Sequence, residues 1–199
     1  MRLYDCLESG NGYKVRLLLS QLGLAVERVE VDILKGETRQ SGFLARNPNG
    51  RIPVLELDDG TCLAESNAIQ FFLADGTPYL PSDRLGRAQV LQWMFFEQYS
   101  HEPYIAVLRF WAHAGLLEDK RDAIPEKRER GYEALGVMES HLAERRFFVG
   151  EAYSIADIAL YAYTHVAGEG GFDLARFGAV RGWLDRVREQ PGHVPITQG

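Results

Sequence analysis

Residues 46–69 read RNPNGRIPVLELDDGTCLAESNAI, and this stretch decides the fold of the N-terminal part of the chain. Residues 53–57 have the composition of a strand, and Pro53 stands at its first position, where proline is tolerated. An Asp-Asp-Gly turn leads into a second run, 61–64, so the stretch predicts a β-hairpin. Directly afterwards, Ser66 is predicted to cap the N-terminus of a helix.

The segments before this stretch alternate between strand and helix. Residues 2–6 are predicted to be a strand, 13–22 a helix, and 27–31 a second strand that runs parallel to the first. Residues 9–12, Ser-Gly-Asn-Gly, have the composition of a loop between the first strand and that helix. A polar helix at about 39–47 follows, and with the hairpin it completes an α/β pattern.

The rest of the chain has the pattern of helices. We therefore predict an α/β domain at 1–76, a linker at 77–83 and an all-helical domain at 84–199. Within the last domain, Ser154 and Asp157 have the spacing of a capping box. The predicted helices are 84–99 and 104–114, which Pro103 kinks or divides, 126–145, and a last helix with Val180, Trp183, Leu184 and Val187 on one buried face.

Composition and charge argue against several classes of protein. The net charge is −6 and neither half of the chain is basic, so nucleic acid is not an expected partner. No apolar run approaches the roughly 20 residues that span a bilayer, and the N-terminus lacks the apolar region of a signal peptide. Cys6 and Cys62 form no CxxC pair, and the histidines show no metal-binding spacing. We expect a cytoplasmic protein without a metal site or a membrane partner.

Four motifs together resemble the glutathione transferases over nearly the whole chain. They are SGNGYKVRLLL after the first strand, NPNGRIPVLE, ESNAI and the late segment SIADIAL. The resemblance implies a thioredoxin-like N-terminal domain, a helical C-terminal domain and glutathione as co-substrate. It also implies a cis peptide bond before Pro53, which turns the backbone of Ile52 toward the cysteine part of glutathione.

The resemblance assigns the two ends of glutathione to different side chains. Glu65 is expected to pair with the γ-glutamyl ammonium, and Ser66, at a helix N-terminus, with the γ-glutamyl carboxylate. Lys35 and Arg51 are the candidates by position for the glycine end. Each assignment has a structural alternative. Ser66 can simply cap its helix, Glu65 can simply favour the helix dipole, and Lys35 and Arg51 can be solvated surface charges.

Two polar side chains before the first helix are the candidates for holding the glutathione sulfur. Ser9 and Asn11 match the S/T-x-N-G-x-K pattern of a bacterial and fungal group with disulfide reductase activity, and we expect both to donate hydrogen bonds to the thiolate. Because Asn11 stands where serine-type members carry a cysteine, we expect no thiol-exchange cysteine there. The alternatives are Ser9 as a cap, Asn11 as a turn residue and Cys6 as a buried structural thiol.

The implied activity is that of a glutathione-dependent transferase. Its activated thiol would attack an electrophile or a disulfide, and the second substrate is expected between the domains near Tyr99, Tyr104 and Arg109. A homodimer is expected as well. Two other interpretations stay open, namely a non-catalytic binding or regulatory module of the same fold and a maleylacetoacetate-type isomerase.

Overall fold

The computed structural model describes residues 1–198, so Gly199, the last residue of the predicted helical domain, lies outside the described part. Across residues 1–198 the chain forms two compact units. One consists of Met1–Thr77 and the segment that begins at Pro191, and the other of Pro78–Gln190. The first unit carries a mixed β-sheet and the second is built from helices, which confirms the predicted fold class.

The sheet of the first unit is formed by short strands. They are β1 (Arg2–Asp5), β2 (Glu27–Glu30), β3 (Val54–Glu56) and β4 (Cys62–Ala64), in the spatial order β2-β1-β3-β4. β1 and β2 run parallel because helix α1, Gly10–Leu22, makes the crossover between them. β3 pairs antiparallel with both β1 and β4, so the predicted hairpin is present and its first strand begins directly after Pro53.

The strand register brings separate parts of the chain to one end of the sheet. Tyr4 of β1 lies opposite Val54, the first residue of β3. Val54 in turn lies opposite Ala64, the last residue of β4. The segment that follows β1, the Ile52–Pro53 turn that precedes β3 and the Glu65–Ser66 pair that follows β4 therefore lie at the same end of the sheet.

The two faces of the sheet pack against different helices. Neighbouring residues of a strand point to opposite faces, so Leu3 and Tyr4 belong to different apolar clusters. The first cluster is Leu3, Val15, Leu19, Leu55 and Ile69, and the second is Tyr4, Val31, Phe43 and Val54. α1 and α3 (Ser66–Ala74) cover the first face, and α2 (Ser41–Leu44) contributes to the second. The predicted helix 39–47 is thus a single α-helical turn after a 3₁₀ turn.

The second unit consists of helices and tight turns. Its helices are α4 (Arg84–Phe96), α5 (Glu102–His113), α6 (Ile124–Leu142), α7 (Ile155–Thr164) and α8 (Gly178–Arg188). A π-helical turn, Glu97–His101, joins α4 to α5, so the chain is not divided into two separate helices at Pro103. Pro103 is the second residue of α5. Within the described residues, no helix is long and apolar enough to cross a membrane.

The start of α7 confirms the predicted capping box. Ser154 and Asp157 exchange hydrogen bonds at the helix N-terminus. Asp157 Oδ1 also accepts hydrogen bonds from the Phe148 N–H at 3.1 Å and from Trp183 Nε1 at 2.9 Å. The four apolar residues predicted to face inward on the last helix are the buried residues of α8. Asp157 thus ties α7 to α8 and to the segment that precedes α7.

The segment that begins at Pro191 packs on α1. Tyr13 Oη donates a hydrogen bond of 2.7 Å to the Val194 carbonyl, and Arg16 Nη1 donates one of 3.0 Å to the Ile196 carbonyl. The sequence predicts this segment as part of the all-helical domain. In the structure it belongs to the first unit, because two hydrogen-bond donors three residues apart on α1 bind its carbonyl groups.

Candidate functional site

Helix α1 begins inside the Ser-Gly-Asn-Gly motif that the sequence predicts as a loop. Ser9 is the N-cap, and its Oγ accepts a hydrogen bond from the Gly12 N–H at 3.3 Å. Asn11 is consequently the second residue of the helix and not a turn residue. A serine hydroxyl that accepts a hydrogen bond keeps its proton as a donor, so the cap role of Ser9 is compatible with donation to a ligand.

Gly12 is the point where α1 approaches the end of β1. A Cβ at this position would lie 1.5 Å from Asp5 Oδ1, so no larger residue fits unless the carboxylate moves. Asp5 is fully buried, accepts a hydrogen bond from the Cys6 N–H at 2.7 Å and pairs with Arg16 at 2.8 Å. Burial raises the pKa of Asp5 to about 6, while Arg16 acts in the opposite direction. These contacts hold the first turn of α1 against the sheet.

The start of α3 differs from the prediction. The helix begins at Ser66 itself, so Glu65 occupies the N-cap position and makes no side-chain cap hydrogen bond. Glu65 has φ +69°, a conformation that residues with a side chain rarely adopt. Such a conformation costs about 1–3 kcal/mol and is found mainly at functional sites. Ser66 is therefore not the cap of α3, and its hydroxyl contacts α1 instead.

Asn11, Lys14 and Ser66 form a polar cluster where the first turns of α1 and α3 meet. Ser66 Oγ donates a hydrogen bond to Asn11 Oδ1 at 3.1 Å, and Lys14 Nζ donates to the same oxygen at 2.9 Å. Lys14 Nζ also lies 3.5 Å from Ser66 Oγ. The structure thus brings together two residues that the sequence analysis assigns to different parts of glutathione, Asn11 to the sulfur and Ser66 to the γ-glutamyl carboxylate.

Lys14 is the member of this cluster that sequence reasoning missed. Its side chain is fully buried, which is rare for lysine unless the ammonium group has partners. In the sequence it stands among the apolar residues of α1. Two signals mark it there: it is the lysine of the S/T-x-N-G-x-K pattern, and it stands three residues after Asn11, which places both side chains on the same face of a helix.

The Ile52–Pro53 peptide bond is cis, as the resemblance implies. Pro53 is buried and Ile52 is half-buried, whereas Arg51 is exposed. The Arg51 carbonyl accepts a hydrogen bond from Asn47 Nδ2 at 2.7 Å, which ties the turn to the segment after α2. The Ile52 backbone lies at the end of the sheet that also carries Ser66.

The candidates for the glycine end of glutathione are placed differently from each other. Lys35 lies in the turn after the edge strand β2, and its Nζ pairs with Asp32 of the same turn at 3.0 Å. Arg39, which sequence reasoning passed over, donates from Nη1 to the Asn49 carbonyl at 3.1 Å. Its guanidinium therefore reaches the loop that leads into Ile52. A single positive charge in a polar segment is too common a feature for the sequence to mark it.

Cys6 and Tyr4 do not have the contacts of a catalytic thiol or hydroxyl. Burial raises the pKa of the Cys6 thiol, so the protonated form is favoured. Tyr4 Oη donates to Glu56 Oε2 at 2.8 Å, on the face of the sheet that α2 covers. Across residues 1–198, no group of three or more His, Cys, Asp or Glu side chains is placed to hold a metal ion.

The residues predicted for the second substrate lie in the helical unit but do not share one environment. Tyr99, in the π-helical turn, is 83% exposed. Tyr104 is half-buried with Lys127 Nζ 5.6 Å from its ring centre, and Arg109 is buried and pairs with Glu169 at 2.6 Å. Tyr104 and Arg109 are five residues apart, so they point about 140° away from each other around α5. The structure therefore does not bring these side chains onto one face.

Solved structures with this architecture include glutathione S-transferases. The structure of a glutathione S-transferase from Pseudomonas fluorescens has a TM-score of 0.97 and 58% sequence identity, and the match covers 99% of this chain and 98% of that one. The structure of Ure2p in complex with glutathione has a TM-score of 0.87 and 27% identity, over 96% of this chain and 95% of that one.

Curated relatives have more diverse names. The disulfide-bond oxidoreductase YfcG of Escherichia coli is 32% identical over 188 residues, which cover 91% of this chain and 87% of YfcG. Elongation factor 1-gamma of Artemia salina is 33% identical over 84% of this chain, but the match spans only 40% of the length of that factor. Family models described as the glutathione S-transferase N-terminal and C-terminal domains match residues 1–75 and 76–191. Because these two models together account for nearly the whole chain, the protein belongs to the glutathione S-transferase family.

Proposed function

We propose that this protein binds glutathione and presents the thiolate of that tripeptide to an electrophile or a disulfide. The observation that carries the proposal is the contact between Ser66 and Asn11. It joins the N-terminus of α3, where unpaired helical N–H groups and the helix dipole favour a carboxylate, to a side-chain amide that can donate to sulfur. A tripeptide whose γ-glutamyl carboxylate binds at Ser66 would then carry its cysteine toward Ser9 and Asn11.

Further side chains at this end of the sheet complete the proposed clamp. The backbone of Ile52, held by the turn at Pro53, pairs with the cysteine part of glutathione in the manner of an added strand. Glu65 pairs with the γ-glutamyl ammonium, and its unusual backbone conformation supports a functional role. Arg39 joins Lys35 and Arg51 as a candidate for the glycine carboxylate, because its guanidinium reaches the loop before Ile52.

The chemistry of the proposal is activation of the glutathione thiol. A free thiol has a pKa near 8.5, and lowering it by about two units requires about 2.7 kcal/mol of preferential stabilisation of the thiolate. Hydrogen bonds to a charged acceptor are worth about 1.5–3 kcal/mol each, so donation from Ser9 and Asn11 is sufficient. The reacting sulfur is that of glutathione, since Cys6 is kept as a thiol by burial.

Two outcomes of the same attack are included in the proposal. The thiolate displaces a leaving group from an electrophilic carbon, or it attacks a disulfide sulfur, forms a mixed disulfide and releases the other sulfur as a thiolate. The relative YfcG, named a disulfide-bond oxidoreductase, supports testing the second outcome beside conjugation. A homodimer in the cytoplasm, where glutathione is kept reduced, is the proposed form and location.

The proposal is tested by titrating bound glutathione. Ultraviolet difference absorbance of the complex between about pH 5 and 9 is expected to report a thiolate that forms near pH 6–7, at least one unit below a free thiol. Ser66→Ala is expected to weaken glutathione binding, whereas Asn11→Ala mainly lowers turnover of a chloronitroarene or of hydroxyethyl disulfide. Equal loss of affinity in both variants would contradict the separate roles.

A second candidate function is a non-catalytic binding module. The similarity to part of elongation factor 1-gamma favours it, because that relative is named as an elongation factor and not as a transferase. In that case glutathione would bind without activation, and the bound thiol would titrate at its free value. The same absorbance titration, combined with absent turnover of both substrates, therefore separates the module from the enzyme.

A further inference from the structure

Lys14 has a chemical property that the other members of the polar cluster lack. Its ammonium group has three donors and no acceptor, whereas a serine hydroxyl can donate or accept and a side-chain amide has one donating and one accepting end. Lys14 Nζ lies 2.9 Å from the side chain of Asn11, and the lysine is fully buried. An ammonium group at that distance can only face the amide oxygen.

The position of Lys14 therefore decides which way the Asn11 amide points. With Oδ1 directed at Lys14 Nζ, the NH₂ group of the amide is directed to the opposite side. Ser66 Oγ, 3.1 Å from the same oxygen, cannot make this choice, because its hydroxyl would donate to an oxygen or accept from an NH₂ group equally well. Without the lysine, the amide can rotate and present its oxygen instead.

The orientation matters for a thiolate because the two ends of an amide have opposite effects on it. An NH₂ group donates a hydrogen bond to the sulfur and favours the charged form, whereas an amide oxygen repels it. We propose that Lys14 is a positioning residue, which holds the Asn11 amide so that its NH₂ group faces the sulfur of glutathione. This inference rests on the proposed function, since it requires that sulfur to lie beside α1.

Other charged groups also lie around the first turn of α1. Asp5 of β1 pairs with Arg16 at 2.8 Å, beside Gly12. Glu8 and Glu65 are exposed and flank the first turns of α1 and α3. The C-terminal segment brings His193 to 3.3 Å from Tyr13 Oη, and the sequence of α3 contains no charged residue.

The test compares Lys14→Met with the wild type and with Asn11→Ala. Lys14→Met is expected to raise the pKa of the bound thiol by about one unit, which leaves roughly tenfold less thiolate at neutral pH. The value of kcat should fall by a similar factor, with a much smaller change in the KM for glutathione. In the Asn11→Ala background, Lys14→Met should cause no further rise, because the amide through which it acts is gone. Lys14→Arg, which also only donates, should restore part of the wild-type value.

The outcomes separate this inference from the function on which it rests. If the wild-type bound thiol titrates at its free value, the proposed function fails and takes the inference with it. If the wild-type pKa is lowered but Lys14→Met leaves it unchanged, or if the effect of Lys14→Met persists in Asn11→Ala, the inference alone fails.

A measurement on the wild-type protein covers the case in which Lys14→Met does not fold. The side-chain NH₂ resonances of Asn11, assigned by their loss in Asn11→Ala, should shift on addition of glutathione at neutral pH. S-methylglutathione, which cannot form a thiolate, should shift them much less. Resonances that respond equally to both peptides, or to neither, would mean that the Asn11 NH₂ group does not face the thiolate. Lys14 would then not hold the amide in the proposed orientation, and the inference would be overturned.

Discussion

At the scale of single residues, the site carries two groups whose placement costs stability. Glu65 has φ +69° without being a glycine, and Lys14 buries its ammonium group completely. Each feature lowers the stability of the folded protein, Glu65 through backbone strain and Lys14 through loss of hydration. Both lie at the N-terminal ends of helices at one end of the sheet, where the proposed ligand would bind.

Glu65 offers a test of whether strain at this position serves binding. Glu65→Gly is expected to raise the free energy of unfolding, by at most about 1 kcal/mol, because glycine adopts a positive φ without strain. The same change removes the carboxylate and should weaken glutathione binding about tenfold or more, as loss of a hydrogen bond between charged groups does. Thermal unfolding and calorimetric titration measure the two effects.

Glu65→Gln is the matched control for this variant. It keeps the strained backbone and a side-chain oxygen, so it should not gain stability and should bind glutathione with intermediate affinity. If Glu65→Gly bound glutathione as tightly as the wild type, Glu65 would not pair with the ammonium group.

At the scale of elements, α1 is held from three sides. Ser9 caps its first turn, the contact of Gly12 with Asp5 fixes its distance from β1, and the C-terminal segment accepts hydrogen bonds from Tyr13 and Arg16. These contacts all precede or flank Asn11 and Lys14. The donors proposed for the sulfur thus lie at the start of a helix whose position is set by packing against β1 and by hydrogen bonds at its N-cap and to the C-terminal segment.

The contact between Gly12 and Asp5 can be tested by adding a single methyl group. Gly12→Ala is expected to lower the free energy of unfolding by about 1–3 kcal/mol or more, because the new Cβ would overlap a buried carboxylate. Gly12→Ala should also lower turnover more than other substitutions in α1 that reduce the free energy of unfolding by the same amount. The reason is that α1, which carries Asn11, must shift to make room for the new Cβ. Denaturant unfolding and steady-state kinetics measure these effects.

Gly136→Ala in α6 is the control for the methyl group itself. Nothing lies within 4 Å of a Cβ added there, and replacing a helical glycine with alanine stabilises by roughly 0.5–1 kcal/mol. A loss of stability in Gly12→Ala no larger than the change in Gly136→Ala would show that the first turn of α1 has room to relax.

At the scale of the whole molecule, the outer side of α4 is unusually apolar. Phe95 and Leu85 are each 68% exposed, and Tyr99, one turn further on, is 83% exposed. The neighbours Trp93 and Met94 are buried, so the aromatic stretch 93–96 divides between core and surface. Exposed apolar residues grouped on one face are typical of an interaction surface, which agrees with the proposed homodimer.

Phe95→Glu is expected to weaken a homodimer that uses this face. Loss of a central aromatic contact costs about 2 kcal/mol or more, which raises the dissociation constant at least about thirtyfold. Light scattering over a dilution series measures the mass. Val137→Glu, which introduces the same charge at an exposed position of α6, should leave the mass unchanged. An unaltered dimer in Phe95→Glu would place the interface on another surface.

Sequence patterns predicted the elements better than their ends. The strands, the capping box at Ser154 and Asp157 and the buried face of α8 follow from local periodicity and side-chain chemistry, and the structure confirms them. The predicted loop at 9–12 was wrong because a serine cap can start a helix on glycine and asparagine. The predicted division of the helix at Pro103 was wrong, because the π-helical turn Glu97–His101 carries the chain from α4 directly into α5. The other form of that prediction, a kink at Pro103, stays a prediction.

The sequence by itself determined the two-part architecture, the family and the segments that form the candidate site, because these depend on short-range patterns and on motifs of adjacent residues. Only the tertiary structure decided that Ser66 contacts Asn11, that Lys14 is buried beside both, and that the C-terminal segment packs on α1. Apart from the contact between Lys14 and Asn11, these contacts join residues 52 or more positions apart. They are set by strand register and by the packing of α1 on α3, and no local pattern in the chain encodes them.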